Sequence, residues 1–226
     1  MRYADNYCTY TEAMNPHRYI YTGQCKINNS TYTVEVPAEE LYAYRQGAMA
    51  QDAFKSLLAE EREFLISGTT PAGWFELFPP EQNTLMILQG VPGSGKSAFA
   101  RKLMTKTINA VIVSTDEWHH DLTGKYTFNR DKIAAFHQAA QQKCRVLLKL
   151  GCAVILDNTN ILNAHIKPYV QMAVEMGVAV KFCRLEGNFE SSHNVPPEII
   201  KRMRETMEDL SVEKALASEG IGGKRS

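Results

Sequence analysis

The chain has 226 residues, 44% of them hydrophobic, and its 25 Lys and Arg residues balance 25 Asp and Glu residues. This length suits one medium domain or two small ones, and the composition excludes collagen-like, disordered and coiled-coil proteins. The longest wholly apolar runs, such as residues 152–156, are far shorter than the roughly 18 residues of a membrane span, so we expect no membrane partner.

The first residues lack the apolar core of a secretion signal, and the five cysteines are scattered along the chain. Both features favour a reducing cytoplasm. The zero net charge hides two unlike halves, because residues 1–80 hold 6 basic and 10 acidic side chains whereas residues 81–226 hold 19 and 15. We therefore expect two domains, with the boundary at Pro79–Gln82, where two prolines interrupt the chain.

Residues 1–80 are predicted to form a small α+β module. Alternating polar and apolar residues indicate strands at Arg18–Tyr21 and Thr31–Val36, joined as a hairpin through the polar turn Asn28–Ser30. Apolar residues three or four apart then predict helices over 38–46, 50–58 and 59–66. The module is a candidate for binding a partner that the sequence does not identify.

Residues 81–210 alternate between strand and helix patterns. The predicted strands are 84–89, 110–114, 152–156 and 178–183, and the predicted helices are 96–107, 131–150, 164–176 and 196–210. Alternation of this kind requires crossover connections, which predicts an α/β fold with a parallel sheet covered by helices on both faces. Residues 211–226, which are rich in glycine near their end, are expected to form a flexible tail.

A phosphate-binding motif lies between the first of these strands and the helix that follows it. Its eight residues match the pattern G-x-x-x-x-G-K-[ST]: Gly90, Val91, Pro92, Gly93, Ser94, Gly95, Lys96 and Ser97. Backbone N–H groups of such a loop surround phosphate oxygens, the lysine reaches the β- and γ-phosphates, and the serine hydroxyl binds Mg²⁺. The motif predicts a P-loop NTPase-type sheet that binds ATP, or another NTP, with Mg²⁺.

Two acidic residues follow predicted strands at the edge where ligands bind in such sheets. Asp116 is a candidate general base that accepts the proton of an acceptor hydroxyl, with a helix N-cap as the alternative role. Asp157 is a candidate for holding Mg²⁺, directly or through water, and an Asx turn is compatible with that role. Asn158, the next residue, is a candidate contact to substrate.

Residues 84–210 resemble the P-loop kinases typified by the kinase domain of phage polynucleotide kinase. The resemblance rests on four motifs in order: the P-loop, Val113–Trp118, Val154–Asn160 and Asn194–Ile200. It implies transfer of the γ-phosphate of ATP to a 5′-hydroxyl end of RNA or DNA, as in nucleic acid repair. Lys96 and Ser97 would then hold triphosphate and Mg²⁺, and Asp116 would be the catalytic base.

The first 80 residues resemble a small module of phage-encoded proteins, around Val34–Glu40 and Ala59–Ser67. That resemblance implies the cytoplasm of a bacterial host as the location of the protein. It assigns no function to the module.

The kinase segment departs from the family at two places. His119, followed by His120, stands where the phage enzyme has an arginine that contacts the acceptor. The short segment Glu186–Asn194 also lacks the basic residues of the family's lid, with the exception of His193. The remaining candidates for contacts to the substrate or to the transition state are His119, His120, Arg184, Arg202 and Arg204.

These departures leave two alternatives to a polynucleotide kinase. One is a kinase of small molecules, such as nucleotides or the sugar nucleotides used by zeta-toxin-like relatives, which have a P-loop and an acidic base. The other is an NTP-binding switch in which the N-terminal module recognises a partner and turnover is incidental.

Overall fold

A computed structural model describes residues 1–119, 130–189 and 195–219 of the chain. The chain divides into two compact units, Met1–Phe78 and Pro79–Ser226, which we call the N-terminal and C-terminal units. Within the described ranges, no helix combines the length and the apolar character needed to cross a membrane.

The N-terminal unit contains a three-stranded antiparallel sheet in the order β1-β2-β3. Its strands are β1 (Thr9–Met14), β2 (His17–Gln24) and β3 (Thr31–Pro37). Pairing of Tyr21 with Val34 fixes the register of β2 and β3 and confirms the predicted hairpin. Strand β1 was not predicted, because nearly all of its residues are exposed and their burial does not alternate.

Five short helices accompany this sheet: α1 (Ala4–Tyr7), α2 (Ala38–Arg45), α3 (Ala50–Ala53), α4 (Ala59–Ser67) and α5 (Pro71–Leu77). The helix predicted over 50–58 ends at Ala53. Of the three large apolar residues beyond it, Phe54 and Leu57 are buried in the core, whereas Leu58 is exposed. The spacing of the two buried residues therefore reflects packing against the sheet and not a longer helix.

The C-terminal unit contains a four-stranded parallel sheet in the order β5-β6-β4-β7, which confirms the predicted α/β architecture. Its strands are β4 (Thr84–Gln89), β5 (Ala110–Val113), β6 (Ala153–Asp157) and β7 (Ala179–Arg184). The two central strands, β4 and β6, are buried along their whole length. Central strands of a parallel sheet are covered on both faces, which explains their nearly continuous apolar sequence.

Three helices flank the sheet, α6 (Lys96–Lys106), α7 (Ile133–Lys149) and α8 (Asn163–Glu175). Two more follow β7 along the chain, α9 (Pro197–Glu205) and α10 (Val212–Ala217), and α10 packs on α8. Leu85 and Ile87 of β4 pack in one core with residues of α7 and α8. Because side chains alternate along a strand, Met86 and Leu88 point to the opposite face, and α6 contacts three strands of the same sheet.

The end of the chain differs from the predicted flexible tail. Ser211 caps α10 by accepting a hydrogen bond from the backbone of Lys214, and Ala215 is fully buried. The buried Asn163 side chain ties this segment to α8, since its Nδ2 donates to Glu208 Oε2 at 2.8 Å and its Oδ1 accepts from the Ser211 backbone at 3.2 Å. The last part of the predicted tail, residues 220–226, lies outside the described residues.

We predict that Asn163→Ala lowers the free energy of unfolding by about 1–3 kcal/mol, because it leaves buried polar partners without their hydrogen bonds. Urea denaturation followed by circular dichroism measures this loss. Thr105→Ala, which removes an exposed hydroxyl from α6, is the control and should change stability by less than about 0.5 kcal/mol. Equal stability of the two variants would contradict the role assigned to Asn163.

Candidate active site

The phosphate loop lies between β4 and α6, as the motif predicted. Gly95 is the N-cap of α6 and has a positive φ of 92°, a conformation that glycine adopts without strain. A Cβ on Gly90 would lie 2.6 Å from the backbone oxygen of Leu185 and 2.3 Å from Ser94 Oγ, so a larger residue does not fit there. The glycines therefore permit a tight loop at the start of a helix, a site that favours anions.

Lys96 is folded onto this loop and is only 9% exposed. Its Nζ donates to the carbonyl oxygen of Val91 at 2.9 Å and lies 3.4 Å from Ser94 Oγ. Burial lowers the pKa of the Lys96 ammonium group, whereas the negative charges of Asp157 and Asp116 raise it. The Val91 carbonyl thus holds the ammonium group at the loop, and two carboxylates from separate strand ends partly offset the cost of burying its charge.

Asp157 ends β6 and is buried beside the P-loop. Its carboxylate accepts a hydrogen bond from the Ser97 hydroxyl; burial raises the pKa of Asp157, while this hydrogen bond and the charge of Lys96 lower it. Within the described ranges its Oδ1 is buried and has no hydrogen-bond partner. The Ser97 hydroxyl and the Asp157 carboxylate are therefore suitable ligands for Mg²⁺ or for a water molecule bound to it.

Asp116 lies in a short 3-10 helix, Thr115–His119, directly after β5. Its backbone N–H donates to Ser114 Oγ at 3.3 Å, so Ser114 satisfies the start of this helix and Asp116 is not its N-cap. The Asp116 carboxylate is close enough to Lys96 and Asp157 for its charge to act on both. The structure therefore brings together the P-loop lysine and the two carboxylates.

The polar residues after β6 connect the neighbouring loops to one another. Asn158 Oδ1 accepts hydrogen bonds from the backbone N–H and the hydroxyl of Thr115, both at 2.9 Å. Asn160 Nδ2 donates to the Leu88 carbonyl oxygen at 2.7 Å, and the Thr159 carbonyl accepts from the Gly90 N–H at 3.0 Å. Asn158 was predicted to contact substrate; its observed partner is the loop that carries Asp116.

Sequence reasoning missed the linking roles of Thr159 and Asn160, and it missed Arg101 of α6, whose charge lowers the pKa of Asp157. Asn160 has a positive φ of 47°, which asparagine tolerates better than most residues. A run of short polar residues after a buried strand was the available signal. It did not identify the backbone groups that these side chains bind.

Two of the three arginines that were predicted to contact the substrate or the transition state bind other groups in the structure. Arg184 forms ion pairs with Glu186 at 3.1 Å and Asp209 at 3.4 Å. On α9, Arg204 donates to the Gly187 carbonyl oxygen at 3.4 Å, and Arg202 is exposed. Arg184 and Arg204 therefore bind groups of the segment after β7.

His119 is only 5% exposed, and its ring packs edge-to-face on Phe136 with the ring centroids 4.8 Å apart. It therefore helps to attach the 3-10 helix to α7. His120, the second predicted contact of this pair, lies outside the described residues, as does His193 of the predicted lid.

Comparison with known proteins identifies one family for this region. The family described as an AAA domain, AAA_33, matches residues 85–210, which is more than half of the chain. The match begins within β4 and does not include the N-terminal unit. The resemblance of that unit to a phage-encoded module thus gains no support.

Two curated relatives align with parts of the chain. Human NEDD4-binding protein 2 is 32% identical over 131 residues, which cover 54% of this chain and 7% of that protein. An uncharacterized protein of Mycobacterium tuberculosis, Rv2004c, is 34% identical over 87 residues, or 33% of this chain and 17% of that protein. The chain therefore spans only a small part of the length of these relatives.

A solved structure of the Pnkp1/Rnl/Hen1 RNA repair complex is 25% identical to this chain. It aligns with 61% of this chain and 44% of that one, with a TM-score of 0.41. The APS kinase CysC of Mycobacterium tuberculosis, solved with AMPPNP and APS, is 21% identical over 54% of this chain and 69% of that one, with a TM-score of 0.38.

We predict that Asp157→Asn does not lower, and at neutral pH raises, the melting temperature of the nucleotide-free protein. A carboxyl group whose pKa is raised in the folded state stabilises folding below its ordinary pKa of about 4, and that contribution is lost as the pH rises. The gain over the parent should therefore shrink as the pH falls towards 4.

Thermal melts between pH 4 and pH 8 measure this difference. Asp131→Asn removes an exposed carboxylate near the start of α7 and is the control, for which we expect no such gain. A lower melting temperature of Asp157→Asn at neutral pH would show that the buried carboxylate stabilises the nucleotide-free fold.

Proposed function

The chain belongs to the AAA_33 family and has a P-loop kinase-like fold, and on that premise we propose that it is a phosphotransferase. The proposed reaction moves the γ-phosphoryl group of ATP to a 5′-hydroxyl end of RNA or DNA. The observation that carries this proposal is the placement of Lys96, Asp157 and Asp116 after the neighbouring strands β4, β6 and β5, where the charges of the two carboxylates act on Lys96.

Each of these residues has a distinct task in the proposed reaction. Backbone N–H groups of the P-loop and the Lys96 ammonium hold the β- and γ-phosphates. Ser97 and Asp157 would hold Mg²⁺, which supplies charge neutralisation on the phosphate oxygens when it is bound. Asp116 accepts the proton of the acceptor hydroxyl as its oxygen bonds to phosphorus and the bond from phosphorus to the leaving oxygen of ADP breaks.

The contact between Asn158 and Thr115 supports the assignment of Asp116 as the base. It links the end of β6, where Asp157 lies, to the residue directly before Asp116. A general base must be held within hydrogen-bond reach of the proton that it removes, and a rigid loop maintains that position. Asn158 is thus proposed as a positioning residue.

The acceptor class rests on the order of the four sequence motifs. One structural observation favours a second candidate, a kinase of small molecules. His119 stands where the phage enzyme uses an arginine to contact the acceptor, and it is buried against Phe136. A small acceptor without a second phosphate would not need a cation at this position.

We predict that Asp116→Asn lowers the rate of phosphoryl transfer by about 10²–10⁴-fold while the equilibrium affinity for ATP stays close to that of the parent, since general-base catalysis typically contributes that factor. Single-turnover transfer from labelled ATP and calorimetric ATP titration measure the two quantities. The control is Glu117→Gln, which removes the neighbouring carboxylate and its ion pair with Lys143.

Glu117→Gln should transfer phosphate at nearly the parental rate. A parental rate in Asp116→Asn would show that Asp116 is not the base. The NTP-binding switch would be favoured if the parent shows no measurable phosphoryl transfer and Asp116→Asn keeps every activity of the protein in cells.

A panel of acceptors tests the substrate class. Labelled ATP and Mg²⁺ are offered with 5′-hydroxyl RNA and DNA oligonucleotides, a cleaved tRNA, free nucleosides and sugar nucleotides. We expect labelling of an oligonucleotide end by the parent and none by Lys96→Ala, which lacks the P-loop cation. Labelling confined to nucleosides or sugar nucleotides would contradict the polynucleotide assignment and establish the small-molecule kinase.

A further inference from the structure

The segment after β7 is hydrogen-bonded to the end of β4 and to the P-loop. The Leu185 N–H donates to the Gln89 carbonyl oxygen at 2.9 Å, and the Phe189 N–H donates to the Gly93 carbonyl oxygen at 2.9 Å. Phe189 is consequently fixed to the P-loop itself by its backbone. This segment lacks the arginines of the family's lid, and the sequence motifs assign no role to Phe189.

One edge of the Phe189 ring lies against two glycines. A Cβ on Gly95 would lie 3.1 Å from ring atom Cε2, and a Cβ on Gly187 would lie 2.5 Å from the same atom. Arg204 binds the Gly187 carbonyl oxygen from α9. The absence of side chains at both glycines lets the ring approach the start of α6 closely.

Phe189 is nevertheless 69% exposed. Covering an exposed aromatic ring removes apolar surface from water and is therefore favourable. The ring is held at one edge, so most of its surface remains open beside the phosphate-binding loop. A flat ligand group can stack on such a surface.

The strand order indicates which ligand group would reach it. Strand β6, with Asp157, lies on one side of β4, and β5, with Asp116 after it, lies beyond β6. Strand β7, which leads to Phe189, lies on the other side of β4. A nucleotide whose γ-phosphate faces Asp116 can place its nucleoside on the opposite side of β4, towards the carboxyl end of β7.

We propose that Phe189 is a stacking surface for the nucleobase of the donor nucleotide, an inference that rests on the proposed function. Aromatic side chains stack on the π-face that every base has, so this contact adds affinity without choosing among bases. The donor site would therefore accept several nucleoside triphosphates, and the contacts to the triphosphate would be the same for all of them.

Calorimetric titrations of ATP, GTP, CTP and inorganic tripolyphosphate, each with Mg²⁺, test the proposal without any acceptor. Phe189→Ala should weaken the binding of all three nucleotides by roughly 5- to 150-fold, the range expected for one stacked base. Tripolyphosphate has no base, and its affinity should stay within about twofold of the parent value. Phe189→Trp should keep nucleotide affinity within about threefold, because indole also stacks.

Leu150→Ala is the matched control, since it truncates another apolar residue, 72% exposed, at the opposite end of the sheet. It should leave all four affinities unchanged. Nucleotide affinities of Phe189→Ala within twofold of the parent would overturn the proposal. An equal loss for tripolyphosphate would also overturn it, because Phe189 would then support only the shape of the P-loop.

These results separate the two proposals. A parent chain that binds nucleotides with the predicted dependence on Phe189, but phosphorylates no acceptor, would contradict only the proposed function. A parent chain that transfers phosphate, but whose nucleotide affinity does not depend on Phe189, would contradict only the stacking role. A parent chain that binds no nucleotide would overturn both.

Discussion

The parallel pairing of β4 with β6 is the constraint on which the site depends. Its register sets Leu88 opposite Asp157, so the carboxylate emerges beside the chain that enters the P-loop. Asp157 and Lys96 are both buried there, and each opposes the pKa shift that burial imposes on the other. Each charge offsets only part of the burial penalty on the other, since the pKa of Lys96 stays lowered and the pKa of Asp157 stays raised. Nucleotide and Mg²⁺ would therefore enter a site whose charges are already arranged.

The loops around this pair are held by side chains that bind backbone groups. Asn160 joins the loop after β6 to the end of β4, and Asn158 joins it to the residue before Asp116. On the other side of β4, the backbone of Phe189 binds Gly93. In the proposed reaction, phosphoryl transfer would take place on the β6 side of the P-loop and the nucleoside would lie on the β7 side. This division follows from the strand order and from no single motif.

The sequence predicted most elements of the C-terminal unit because buried strands and amphipathic helices carry strong local patterns. Its errors occurred where distant contacts decide the structure. The helix predicted over 196–210 ends at Glu205, and beyond it the Glu208 carbonyl accepts from Gln89 Nε2 at 2.7 Å. Strand β1 is almost wholly exposed and depends on pairing with β2, so its residues carry no alternating pattern. Neither feature could be inferred from neighbouring residues.

By itself, the sequence determined the phosphate loop and the two carboxylates at strand ends. Glycine at the turns, a lysine at the helix start and an acid after each strand are local requirements of that chemistry. Only the tertiary structure decided that Arg184 is ion-paired, that His119 is buried and that Phe189 lies beside the P-loop. The partners that are distant along the chain are Asp209 for Arg184, Phe136 for His119 and Gly93 for Phe189. The sequence specifies the type of each side chain, whereas tertiary packing decides which residues contact it.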